Sequence, residues 1–76
     1  MNINIKKNAN YVHSAGPESD IDRFGDEHPV WYVTIYDVDE NELDSWSFHS
    51  AEIASDMGDH IANKHNVEHV DEACYA

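Results

Sequence analysis

The densest chemistry in this chain lies in the stretch DVDENELDSW, residues 37 to 46. Asp37, Asp39, Glu40, Glu42 and Asp44 place five carboxylates within eight positions, and no basic residue answers them. Oxygen ligands so closely spaced suit a hard cation. Asp37, Asp39 and Asn41 match the first three ligand positions of an EF-hand loop. Glu42 then falls where the sharp turn needs Gly, and Phe48 falls where a bidentate Glu must close the site. The flanking residues read as strands, not as the paired helices of that motif. No calcium site is expected here.

His60, His65, His69 and Cys74 gather toward the C-terminus and are zinc-ligand types. His60 and His65 are five apart, which does not align them on one helix face, and no CxxC accompanies them. Asp56 and His60 do have the i, i+4 spacing that shares a face. Surface histidines are the simpler reading, with His65 complementing the negative end of a helix dipole. No metal or other cofactor is expected. Cys74, His69 and Asp71 supply the types for a thiol nucleophile, but on a tail expected to fray. Three glycines in all leave little material for a phosphate loop. The protein is expected not to be an enzyme.

The elements that hold these residues follow from periodicity. NINI alternates and reads as a first strand that continues into YVH. Pro17 suits the first position of a short helix, with Glu18 and Asp20 in its first turn, Ile21 and Phe24 on one face and Gly25 as its stop. VWYVTIYDV, 30 to 38, is the clearest strand, with Trp31, Val33 and Ile35 on one face and Tyr32, Thr34 and Tyr36 on the other. LDSWSF, 43 to 48, is its hairpin partner, joined through the turn DENE. Ser50 then caps a long helix, with Glu52 at its start, Lys64 and His65 near its end and Asn66 as its left-handed stop. Ile53, Met57 and Ile61 recur every four residues, with Ala54 and Ala62 beside them, and predict the core-facing stripe, while Gly58 weakens the helix and lets it pack closely. VEHV, 67 to 70, reads as a possible last strand. The expected fold is a single α+β domain over 1–76: a small antiparallel sheet of three to four strands with one long C-terminal helix on one face. A compact ferredoxin-like βαββαβ arrangement is the alternative.

Apolar residues make up 41% of the 76, enough for one core and too much for a disordered acidic tail. One cysteine cannot form an intramolecular disulfide. The N-terminal MNINIKKNANYV lacks the apolar run of a signal peptide, and no segment approaches the ~20 apolar residues of a membrane span. A cytoplasmic protein with no membrane partner is expected.

Charge is the outlier. Sixteen acids face four bases, a net charge of −12, and only Arg23 and Lys64 oppose the acids from residue 18 onward. Such a field repels nucleic acid and attracts basic proteins. Tyr32, Tyr36 and the other aromatics therefore lack the basic groove that base stacking requires. On strands and helices, acids stand a few ångströms apart: Asp37 and Asp39 by about 6.5 to 7 Å, and Glu52, Asp56 and Asp59 along one helix stripe with rises of about 4.5 to 6 Å. Regular fixed carboxylates of this kind imitate a phosphate backbone, and a groove built to bind DNA or RNA accepts them. Tyr32 and Tyr36 offer apolar anchor area beside them.

In small size, acidity, absence of a catalytic motif and compact α+β pattern, the chain resembles phage-encoded inhibitors that act as DNA mimics. These include anti-CRISPR and anti-restriction proteins and inhibitors of DNA-repair enzymes. The resemblance rests on general character across the chain, without a residue motif. It implies an inhibitor acting in the host cytoplasm that blocks the cationic nucleic-acid channel of a basic protein or complex. Two other readings stand beside it: a generic acidic protein-interaction module, and a small domain adapted to high salt.

Overall fold

The computed structural model describes residues 9–74. Its elements are β1 (Ala9–Ile21), β2 (Glu27–Asp37), β3 (Glu42–Phe48), α1 (Ala51–His65) and β4 (Glu68–Ala73). The four strands form one sheet in the order β3-β2-β1-β4. β1 and β2 pair antiparallel, as do β2 and β3, while β4 pairs parallel to β1. The sheet is thus mixed, where an antiparallel one was expected. The reason is the crossover: α1 runs back along the sheet from the end of β3, so the next strand must point the same way as β3 and β1. The expected strand in NINI lies outside the described residues, and YVH belongs to β1.

The short helix expected from Pro17 is absent. Residues 17–21 continue β1, and residues 22–26 form a hairpin loop into β2. Gly25 does adopt positive φ, +85°, in a turn between strands instead of after a helix. With no helix between the first two strands, the ferredoxin-like alternative does not apply.

The alternation read in β2 holds. Trp31, Val33 and Ile35 are buried against the helix, together with Val12 of β1. Leu43, Trp46 and Phe48 of β3 pack at the margin of this core. At β1 a bulge separates the pairs Ala15–Tyr32 and Glu18–Val30. Gly16 sits in it at φ +136°, and a Cβ there would stand 2.7 Å from Trp31 Cδ1 and 2.9 Å from Trp31 Cα. No other residue fits so close to an indole.

Helix α1 is capped as its sequence directs. Ser50 Oγ accepts the N–H of Ile53, Glu52 occupies the first turn, and Asn66 closes the helix at φ 57°, ψ 48°. Its buried face keeps Ala54, Ile61 and Ala62 of the expected stripe but not Ile53. Ala51, Ala54, Gly58, Ile61 and Ala62 are buried, whereas Ile53 is 53% exposed. The helix turns its small residues to the sheet, so its backbone lies close to the strands. A Cβ on Gly58 would collide with Ser14 Oγ and His69 Nε2.

Candidate partner-binding surface

The acids of the opening stretch crown the hairpin between β2 and β3. Asp39, Glu40 and Glu42 are exposed, and Asp44 is half-buried. Asp37 has a different job. Its Oδ1 accepts the N–H groups of Asp39 at 2.9 Å and Asn41 at 2.8 Å, and its Oδ2 accepts from Asn41 Nδ2 at 3.3 Å. These bonds, led by that from the Asn41 backbone, hold the Asp37 carboxyl below the usual carboxylate range. Asp37, one of the acids expected to meet a partner, is half-buried and its carboxylate accepts from its own loop.

The hairpin between β1 and β2 is built the same way. Asp22 Oδ1 accepts the N–H groups of Phe24 at 2.8 Å and Asp26 at 3.0 Å. In both loops the fourth residue donates to the first residue's carbonyl, and the first N–H donates to the fifth carbonyl, each at 3.0 Å. Both fourth residues have positive φ: Gly25 at 85° and Glu40 at 63°. This is a type I turn followed by a left-handed residue, a three-residue hairpin loop. Here, too, the carboxyl is held low, by His28 Nε2 at 2.9 Å first and by the backbone of Asp26 and Phe24 as well. The two loops present their charges from fixed backbones.

Tyr32 and Tyr36 alternate with the buried residues of β2 and so project from the helix-free face of the sheet. Both are half-buried. Tyr36 stacks on Tyr11 of β1 with ring centroids 5.1 Å apart. Burial, the nearby charge of Glu40 and Tyr36 itself raise the Tyr11 phenol above its ordinary pKa. The acidic tip and the tyrosine pair are therefore neighbours. Glu52, Asp56 and Asp59 are exposed on α1, on the other side of the sheet. The residues singled out in the sequence thus form two surfaces, and a partner touching both must wrap around the molecule.

Asp59 also belongs to a network the sequence did not signal. Its Oδ1 lies 2.7 Å from His69 Nδ1, and His69 Nε2 lies 2.7 Å from Ser14 Oγ. With Asp59 ionised, Nδ1 carries the proton and Nε2 accepts from the serine. The order serine, histidine, aspartate is that of a hydrolase relay. Here Ser14 is 0% exposed, and α1 covers it at Gly58 with the Ala54 carbonyl 3.5 Å away. The network clamps β1, α1 and β4 together, and no substrate reaches the hydroxyl in this arrangement. The ligand and nucleophile sets considered in the sequence are not assembled. His69 faces this clamp, Asp71 bonds Ser55, and the exposed Cys74 lies near the Glu72 carbonyl. His13 meets Glu72 at 2.6 Å on the helix-free face. Among the described residues no three His, Cys, Asp or Glu side chains converge as metal ligands would, and no helix is long and apolar enough to cross a membrane.

The hairpin of residues 17 to 30 is the feature that sequence reasoning missed. It carries Glu18, Asp20, Asp22, Asp26 and Glu27, and with them Ile21 at 66% and Phe24 at 78% exposure. Arg23 holds its guanidinium 5.5 Å from the Phe24 ring centroid. The signal was present in DRFGD, where an Asp precedes a Gly by three positions, the spacing of this loop type. Comparison of the chain with protein-family models, with curated proteins and with solved structures gave no match.

Proposed function

We propose that this protein is a non-enzymatic inhibitor that binds a basic nucleic-acid-binding protein or complex and occupies its nucleic-acid site by charge mimicry. The observation that carries this reading is the net charge of −12 displayed on rigid supports. Asp39 and Glu40 ride a loop whose backbone is locked by Asp37, and Glu52 and Asp56 ride a capped helix. Carboxylates held in place require little ordering when a cationic groove closes on them. Self-repulsion of this size works against folding, so its retention argues for use. The type of inhibitor is that of anti-CRISPR or anti-restriction proteins. The mechanism needs no cofactor and no direct contact with nucleic acid.

The test is retention of bacterial lysate proteins on the immobilised chain at low salt, followed by elution with duplex DNA or with RNA. Nucleic-acid-binding proteins eluted by their own nucleic acid support mimicry. Captured proteins that ignore the competitor support the second reading, a general acidic interaction module, which the exposed Ile21 and Phe24 favour.

A further inference from the structure

We infer that the two-stranded arm of residues 17 to 30 is the docking finger of this protein. Its Phe24 tip seats in an apolar recess within the Lys- and Arg-lined groove of the basic partner. The inference rests on the charge-mimicry reading and adds to it the element that enters the groove.

The arm stands clear of the rest of the fold. β3 ends at Phe48, opposite Trp31, and β4 ends at Ala73, opposite Gly16. Among the described residues, β1 and β2 beyond those positions pair only with each other, from Glu18–Val30 to Ile21–Glu27. At roughly 3.3 Å per residue, β2 carries the arm about 13 Å from Trp31 to Glu27, with the loop beyond. Residues 17 to 29 are exposed apart from the half-buried Asp22, while Val30 at the base of the arm is buried.

Its base is stiff. The Cys74 N–H donates to the Gly16 carbonyl at 2.9 Å, and Trp31 Nε1 donates to the Cys74 carbonyl at 2.9 Å. Its tip is fixed as well, because the Phe24 N–H itself is one of the two that Asp22 Oδ1 holds. A large aromatic on a rigid, projecting support is the form of an interface anchor, for the ordering cost of its backbone is already met.

Charge complementarity identifies the occupant. Arg23 is the one Lys or Arg of the arm against five acids. A second copy of this chain would bring the same negative arm and be repelled. A basic groove would neutralise the acids while the apolar tip leaves water. The contact is made by side chains, not by adding a strand. Pro17 and Pro29 have no N–H to offer, and charged residues on an open strand edge oppose further pairing.

The experiment uses the intact chain as bait in three forms: wild type, I21S/F24S and, as an exposed apolar position outside the arm, I53S. All three substituted positions are exposed, so all three forms are expected to melt alike. Lysate proteins retained at low salt are eluted with duplex DNA or RNA, and the self-association of each bait is measured by sedimentation. The expected result is a nucleic-acid-displaceable protein held by wild type and by I53S, with retention by I21S/F24S reduced about tenfold or more. Equal retention by I21S/F24S overturns the docking finger and leaves charge mimicry standing. A partner that needs Phe24 but ignores nucleic acid overturns charge mimicry, and with it the class of occupant named here. A wild-type dimer that I21S/F24S converts to monomer makes the occupant a second copy and overturns the inference, as does capture of no displaceable protein at all.

Discussion

Ser14 and His69 lie 55 residues apart in the chain and meet at 2.7 Å, beneath the one glycine of helix α1. The bond satisfies a serine hydroxyl that is otherwise sealed in the core. Removing the hydroxyl leaves the imidazole nitrogen without its partner, at a cost of about 1–3 kcal/mol. Gly58→Ala should gain roughly 1 kcal/mol of helix propensity and lose more, because the new methyl displaces His69 or Ser14 from the clamp. A net loss of about 1–3 kcal/mol is expected. Urea denaturation of G58A, S14A and the double variant tests the coupling. The double variant should lose less than the sum of the single losses, because S14A removes one of the atoms the methyl strikes.

Ile53 and Ile61 separate the two possible faces of α1. Ile61→Ala should cost about 2–5 kcal/mol. Ile53→Ser should fall within about 0.5 kcal/mol of wild type, as exposed substitutions do. Thermal melts of the two variants decide the matter, and a large loss at Ile53 would restore the stripe expected from the sequence.

Glu40 occupies a left-handed position that glycine fills in the sister loop. Glu40→Gly should stabilise the fold by about 1 kcal/mol, the strain of a side chain there. It also removes a negative neighbour of Tyr11, so the tyrosine should ionise at lower pH. Denaturant midpoints and ultraviolet titration read the two effects separately.

Asp22 and Asp37 both have carboxyl pKa values lowered by the bonds they accept. For a depressed carboxylate, the stability it contributes is present above the unfolded value, near 4. It is lost as pH falls through the lower folded value. Urea midpoints should therefore drop below about pH 4, and the drop should be shallower in D22N/D37N. At neutral pH, Asp37→Ala should lower the melting temperature while Asp39→Ala leaves it nearly unchanged.

How much of this fold was legible follows from the range of each signal. Ser50, Glu52, Lys64, His65 and Asn66 act within one helical turn, so the sequence placed both ends of α1. The alternation of Trp31, Val33 and Ile35 likewise set the buried face of β2. Ala54, Ile61 and Ala62 of the expected stripe of α1 are buried, and Ile53 is the miss, because its hydrophobicity outweighs that of the small residues. The packing instead needs small residues where Ser14 and His69 approach the helix. The first hairpin was missed because Pro17 and Gly25 punctuate a short helix as well as they punctuate two strands. Of the candidate site, the exposed acids were legible from composition. That Asp37 serves its own loop, and that the tyrosines and helix acids lie on opposite sides of the sheet, depends on three-dimensional placement.

The central claim is that this chain and nucleic acid compete for one site. The direct measurement is a mobility-shift titration: a captured basic protein bound to labelled nucleic acid, with this chain added at several salt concentrations. Labelled nucleic acid should be released free, with an inhibition that weakens as salt rises. A slower-migrating band containing protein, nucleic acid and this chain together would contradict it.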